Sequence, residues 1–437
     1  MSRSPQTVAA EQLWVVRDGE ILADLERVAS GQLALRFRPE IAERADGAPL
    51  ISVSLPVREA PYAEPQLRPF FEGLLPEGVI RDRLARRFRL DPTDVFAFLR
   101  AIGRDCAGAL SIVEAGTDLA TVRDEGVEWL DDAALAERVS ELGVRPLADE
   151  PDEGIRISLA GVQDKMAIVV EGDRIGLPRG TTPSTHILKP ASAERRGARG
   201  DKLAYPSLVA NEAFCTVVAG RAGLRVASVS VRRIAGEPAL LIERYDRIRA
   251  GGGVARVHQE DFCQALAVSP LRKYEADGGP DLAAYLDLVR RWSVDVLSDQ
   301  TELMDRVAYS YLIGNADAHA KNLSLLHSAA GIRLAPAYDL LSTAVYPHLK
   351  KDMALSINRM FDGNALRPIH WKKAFSQLGL SERLYAERFA ALAERVLAAV
   401  PDARAELDSW VLRNGVLDGV VAVVSARAEV LKGLRDG

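Results

Sequence analysis

Residues 311–326 read YLIGNADAHAKNLSLL, and Asn315, Asp317, His319, Lys321 and Asn322 stand there between two apolar runs. Apolar runs seek burial, whereas charged and amide side chains resist it unless something pairs with them. A helix end followed by a polar surface turn accounts for the pattern. So does a site where an acid, a base and a metal-binding amide converge. Asp317 and Asn322 alone decide nothing, because turns favour both residue types. Two more residues sharpen the choice. Lys189 ends the β-type run THILK, and a lysine pointing inward from a strand needs an anion. Asp339 follows in AYDLLS, among aromatic and aliphatic neighbours. Together the four match the order that phosphoryl transfer requires, since that reaction must neutralise charge on the moving group and hold its two oxygens in line. A lysine can grip phosphates, Asp317 can take or orient a hydroxyl proton, and Asn322 with Asp339 offers the hard oxygen ligands that Mg²⁺ prefers.

Protein kinases space their catalytic Asp and metal-binding Asn by four intervening residues, with a second metal-binding Asp further on. The separation here is the same. The phosphate-covering loop is less typical, because SLAGVQDK contains Gly161 alone. Backbone N–H groups of Ala160, Gly161, Val162, Gln163 and Asp164 could cradle phosphates, with Lys165 adding charge. A plain hairpin turn is the alternative.

The elements that must position these residues are legible in outline. LWVVRDGEILADL predicts a hairpin around Asp18-Gly19, and LALRF and ISVSL alternate as half-buried strands do. FFEGLLPEGVIRDRLARRF is helical with a break at Pro76; DPTDVFAFLRAIG starts another helix capped by Asp91 or Thr93. GALSIVEAG returns to strand and closes a first unit, 1–115. Residues 116–152 hold one short helix and the acidic stretch LADEPDEG, a linker candidate. Residues 153–257 are mostly strands plus the helix LVANEAFCTVVAGRAG, and 258–437 are expected to be dominated by helices. The fold class is α+β.

With 437 residues the chain can bury two or three packed units. A net charge of −5 gives no sign of a whole-molecule nucleic-acid binder. Cys106, Cys215 and Cys263 are far apart, which fits a reducing compartment better than a disulfide framework. No apolar run approaches the ~20 residues needed to span a bilayer, and the N-terminus lacks a signal-peptide pattern; a soluble cytoplasmic protein without membrane association is expected.

RISLAGVQDK, THILKP, NEAFC, IERYDR, QEDFCQALAVSPLRKYEADGGP, GNADAHAKN and YDLLS resemble the signature stretches of the HipA family, the serine/threonine kinase toxins of bacterial toxin–antitoxin modules. SLPV, FFEGLLPEG, RDRLARRF and IGRDCAGAL resemble that family's first subdomain. The likeness runs from about residue 12 to 435. It implies a kinase-like core with a helical C-terminal half, plus a small β-rich N-terminal subdomain. It further implies Asp317 as catalytic aspartate, His319, Ala320, Lys321 and Asn322 lining the nucleotide site, and Asn322 and Asp339 on Mg²⁺. Tyr338 would precede the metal-binding Asp339; Leu340 and Leu341 replace the Phe-Gly of ordinary kinases. Lys189 would hold ATP's phosphates, Glu243, Arg244 and Tyr245 would form the adenine hinge, and residues 160–165 the phosphate loop. Ser158 stands where family members phosphorylate themselves. A phosphate there adds about −1.5 to −2 charges beside the ATP phosphates, which would repel them and hold the loop open. Glu212 could pair with Lys189 or sit on a solvated helix face, and Lys273–Pro280 reads as a structural Gly-rich turn.

The implied partners are a small DNA-binding HipB-like antitoxin, operator DNA through that complex, and a protein substrate. The best-known family target is glutamyl-tRNA synthetase. Two rival readings remain at this level: a lipid or small-molecule kinase, and a module that corepresses transcription without phosphorylating anything. The complete set of Lys189, Asp317, Asn322 and Asp339 argues against the second, since a scaffold needs none of them.

Overall fold

The Asp-Gly turn forms as its residue types dictate. Asp18 and Gly19 both take positive φ, 53° and 81°, which suits the right-handed twist of a two-residue hairpin. It joins Glu11–Arg17 to Glu20–Arg27 in antiparallel register, Arg17 opposite Glu20. This computed structural model describes residues 11–104, 106–119, 124–142, 165–191, 207–250, 253–409 and 415–435. The hairpin anchors a five-stranded antiparallel sheet ordered Tyr62–Ala63, Leu33–Phe37, Glu20–Arg27, Glu11–Arg17 and Leu110–Glu114. Helices Glu64–Gly73, Gly78–Phe88 and Val95–Ile102 pack on it around Phe70, Phe71, Phe96 and Phe98. The break at Pro76 falls where expected, as a proline has no N–H to continue the helix.

Two local expectations for this unit are corrected. The cap of Val95–Ile102 is Asp94, whose carboxylate accepts from the Ala97 amide at 3.0 Å; Asp91 instead accepts from the Thr93 amide at 2.8 Å, one turn earlier. ISVSL is no strand but a tight bend bridged only between Ser52 and Leu55. Its polar groups are taken by Glu260, which is 1% exposed. The Val53 amide donates to that carboxylate at 2.9 Å, the Ser52 hydroxyl donates to its other oxygen, and His327 Nε2 lies 2.8 Å away.

A second, six-stranded antiparallel sheet runs in the order Val229–Ile234, Glu237–Glu243, His186–Pro190, Met166–Glu171, Arg174–Gly180 and Asp124–Leu130. The last strand belongs to the segment expected to be a linker. The expected short helix forms as Asp132–Glu141, but it is preceded by the edge strand, and its Leu135 and Val139 join Met166, Ile168 and Leu188 in one apolar cluster. The amphipathic pattern of that helix demanded such a partner.

The C-terminal part centres on helices Leu282–Trp292, Val296–Ile313, Pro368–Gln377, Glu382–Ser409 and Val416–Lys432. They share the largest core, built on Trp371, Phe375, Phe389 and Tyr309. It is less purely helical than expected: His258–Asp261, Ser324–Ser328 and Gly331–Leu334 form a three-stranded sheet. The first of these strands carries Glu260, so the small sheet also makes the joint to the first unit. No described helix is long and apolar enough to cross a membrane.

Replacing Glu260 by alanine would strip three partners, Ser52, Val53 and His327, of a buried acceptor. The expected loss is about 3 kcal/mol or more, read from urea unfolding, with Glu260→Gln retaining part of it. A loss below about 1 kcal/mol would show that the joint carries little stability.

Candidate active site

Strand alternation sends neighbouring residues to opposite faces, and at the centre of the second sheet this separates Leu188 from Lys189. Leu188 enters the apolar cluster on one face. Lys189, 4% exposed, emerges on the other, where the helix Leu208–Arg221 crosses. Glu212 of that helix is 3% exposed and accepts from Lys189 Nζ at 2.7 Å. The same Nζ donates to Asp339 Oδ1. The open question over Glu212 is thereby answered in favour of the pair. Burial would strip Lys189 of its proton, but the Asp339 and Glu212 carboxylates outweigh burial and raise its pKa. Burial would raise Asp339 too, yet Lys189 overcomes it and holds that carboxyl at about 2. Glu212, buried furthest, is pushed up by desolvation.

The Asp339 segment is fixed independently. Ala337 exchanges backbone hydrogen bonds with Arg225 and Ala227, both at 2.8 Å. Asn211, next to Glu212, clasps Ser342 with its amide group, donating to the carbonyl and accepting from the N–H, each at 2.8 Å. Between these fastenings Asp339 adopts φ 52°, a left-handed conformation that Asp tolerates better than most residues. Such backbone strain tends to collect at functional sites.

The stretch that raised the question begins as a helix end. Helix Val296–Ile313 stops at Gly314, φ 71°, where a Cβ would come within 2.7 Å of the Ala344 side chain. Thr343 then pins the exit: its amide and hydroxyl donate to the Gly314 carbonyl at 3.0 and 2.9 Å, and its Oγ1 accepts from the Ala316 amide at 2.7 Å. Asn315 is buried, accepts from the Asp317 amide at 2.9 Å and reaches the Asp339 carbonyl at 3.4 Å. Its contacts thus join the Asp317 loop to the Asp339 loop. Asp317 itself is half-exposed. Asn322 Nδ2 donates to the Asp317 carbonyl at 2.7 Å, which leaves its oxygen as the group it can offer a metal.

A short 3₁₀ turn, Ala320–Asn322, separates the remaining predicted residues. With three residues per turn, His319 and Asn322 share a side, while Ala320 and Lys321 do not. Ala320 is fully buried, and Lys321 Nζ lies 3.0 Å from Glu77, 3.4 Å from Asp261 and 3.2 Å from the Gly73 carbonyl. The Lys321 side chain thus reaches the first unit, away from the side that His319 and Asn322 share. His319 does remain at the site, 3.8 Å from Asp317 and edge-on to Tyr274. Burial pushes its pKa down to about 4 against the pull of Asp317, so the ring is neutral near pH 7.

The segment expected to be the hinge, Glu243, Arg244 and Tyr245, has two of its three amides already in use. The amides of Glu243 and Arg244 are committed to the carbonyls of Ser228 and Thr185, at 2.8 and 2.9 Å, which leaves the Tyr245 amide as the donor the segment could present. The Arg244 side chain points to the joint, where it forms a two-pronged pair with Asp246 at 2.9 and 2.7 Å. Burial would raise Asp246, but Arg244 dominates and holds it at about 2. The Tyr245 ring stacks on Tyr338, centroids 5.9 Å apart, so the Tyr245 and Asp339 segments touch directly. Tyr338 in turn donates to the Lys321 carbonyl at 2.7 Å. Ser158 and residues 160–164 lie outside the described residues. Lys165 is within them, close enough to Asp339 for that carboxylate to raise its pKa, although burial wins and lowers it to about 8.

Sequence reasoning missed Tyr274, assigned to a structural turn. Its hydroxyl donates to Asp317 Oδ1. It also missed Glu77, more than 200 positions from the loop it contacts; nothing in the local sequence announces either role.

Residues 13–113 match the family described as HipA N-terminal domain and 157–403 the HipA-like C-terminal domain. The chain belongs to the HipA family. It is 34% identical over 434 residues to "Putative kinase Y4mE" of Sinorhizobium fredii, covering 98% of this chain and 99% of that one. It is 30% identical over 354 residues to the serine/threonine-protein kinase toxin HipA of Shewanella oneidensis, covering 77% of each. Among solved structures, the Shewanella oneidensis HipA, HipB and operator DNA complex matches with a TM-score of 0.81 and 25% identity, over 97% of this chain and 99% of that chain. The HipA architecture, a kinase-like fold of mixed helix and sheet, is therefore the fold of this chain.

Lys165 carries its charge below about pH 8 and loses it above. Affinity for a polyphosphate ligand is expected to fall as pH rises through that value, and Lys165→Met to flatten the profile, in a fluorescent-nucleotide titration. A profile unchanged by the substitution would remove Lys165 from the phosphate site.

Proposed function

We propose that this HipA-family chain is an ATP- and Mg²⁺-dependent protein serine/threonine kinase and the toxin of a toxin–antitoxin pair. The observation that carries the reading is the Lys189–Glu212–Asp339 triad, with Asn315 binding the Asp339 segment to the loop of Asp317. Few architectures have reason to bury a lysine between two acids beside a half-exposed aspartate; a phosphoryl-transfer site is one that does.

The residues suit ATP and Mg²⁺. Asn322 keeps one oxygen uncommitted by its bond to Asp317, and Asp339 is ionised with its side chain about one-third exposed. Two hard oxygen donors are what Mg²⁺ takes when it shares its coordination with phosphates and water. The bound ion would neutralise charge on the phosphate oxygens. Lys189, held protonated, would orient the α and β phosphates, and Glu212 would keep the lysine aimed. Tyr245 and Tyr338 would flank the base. Asp317 would accept the proton of a serine or threonine hydroxyl as its oxygen attacks the terminal phosphorus and the bond to the β–γ bridging oxygen breaks, releasing ADP. The Tyr274 hydroxyl now on Asp317 must share or yield that carboxylate when an acceptor arrives.

In the same reading Ser158 is the self-phosphorylation site of the loop 160–165, whose modification closes the enzyme down. The HipB protein in the related complex supports a HipB-like antitoxin as partner here, with operator DNA reached through it. The family's glutamyl-tRNA synthetase target makes an aminoacyl-tRNA synthetase the first protein to test as substrate.

Purified protein given ATP and Mg²⁺ should gain one phosphate by intact-mass measurement, on the peptide containing Ser158. Asp317→Ala should reduce the gain at least about 10³-fold, the upper part of the range for a lost proton acceptor, and chelation of Mg²⁺ should abolish it. Label from ATP entering a lipid or metabolite but no protein would overturn the protein-kinase reading. Transfer that survives Asp317→Ala would overturn the site.

A further inference from the structure

Three groups of the first unit and the small sheet converge on the back of the Asp317 loop. Glu77 ends the turn between helices Glu64–Gly73 and Gly78–Phe88. Its carboxylate lies 3.0 Å from Lys321 Nζ, inside the loop, and 3.0 Å from Lys273 Nζ. The Gly73 carbonyl accepts from Lys321 at 3.2 Å and Asp261 stands 3.4 Å away. Lys273 also touches the loop through its backbone, accepting from the Ala320 amide at 3.2 Å. The next residue is Tyr274, whose hydroxyl meets Asp317 and whose ring lies 5.0 Å from that of His319. One carboxylate from outside the kinase-like core therefore holds both lysines that bracket the catalytic aspartate, one through residues 317–321 and one through Tyr274.

We propose that Glu77 is a positioning residue for phosphoryl transfer, and that the first unit works as a strut under the catalytic loop. The inference rests on the kinase reading and adds a task for a unit that contributes no group to the chemistry. Its physical basis is the cost of unpairing. Lys321 and Asp261 are buried and the Glu77 side chain is only 16% exposed, so each charge depends strongly on its partners. That fixes the height of the 3₁₀ turn and, with it, the distance between Asp317 and Asn322. Lys321 is a better strut than an apolar residue because a charge on three partners permits one position of the turn, whereas an apolar contact would allow it to slide.

The test compares wild type, Glu77→Gln, Tyr274→Phe, the double variant, and Asp94→Ala as a control that weakens a helix cap in the same unit. Glu77→Gln is expected to lower kcat by about tenfold or more, the scale set by small misplacements of catalytic groups, with KM for ATP within about twofold. Tyr274→Phe should add little on top of it, because both act through one loop. Asp94→Ala should lower Tm with kcat unchanged. Hydrogen exchange supplies a readout free of activity: amides in 315–323 should exchange several-fold faster in Glu77→Gln, with the Trp371 region unaffected. An unchanged kcat together with unchanged exchange overturns the strut, as does a kcat loss matched by Asp94→Ala at equal Tm. If the wild type transfers no phosphate, the kinase reading fails, and the exchange comparison still decides the strut.

Discussion

A single ammonium group, Lys189 Nζ, ties together three pieces of chain far apart in sequence. It stands on a central strand, takes Glu212 from a helix and Asp339 from a strained loop, and is almost sealed from water. Each partner alone would be poorly tolerated in that place. A lone buried lysine would shed its proton and a lone buried carboxylate would take one up. Together they fix the spacing of sheet, helix and loop more sharply than apolar packing could, since an apolar contact tolerates sliding and a shared proton donor does not. The neighbouring Asn211 repeats the logic with neutral groups on Ser342. The arrangement is expensive to assemble, and chemistry rather than stability is its justification.

The outline of the fold was written in local signals. Asp18-Gly19, Pro76 and Gly223 punctuate elements that begin and end where those residues require. Misreadings came where distant partners overrode local pattern. ISVSL has strand alternation but bends, because Glu260 claims its polar groups from some 200 positions away. Residues 124–142 looked like a bridge between units, yet the second sheet needed an edge strand and the helix a place for Leu135 and Val139.

The site divides in the same way. Lys189, Asp317, Asn322 and Asp339 could be singled out because their joint order and spacing match what phosphoryl transfer requires, although none is telling alone. Ala320 and Lys321 came with the HipA resemblance, and no local signal showed that the Lys321 side chain would reach Glu77. Tyr274 and Glu77 were invisible, since a tyrosine in a Gly-rich turn and a glutamate before a helix are commonplace in any sequence. What they do depends on tertiary neighbours that no short window contains.

Leu340 follows the left-handed Asp339 and is packed into the main core, 5% exposed. In protein kinases the residue after that aspartate is a phenylalanine whose packing sets the active or inactive state. Here an outward swing would drag a seated leucine into solvent and break the Asn211 clasp on Ser342. The Asp339 segment is thus anchored by apolar packing and neutral hydrogen bonds as well as by charge, and is poorly suited to act as a switch.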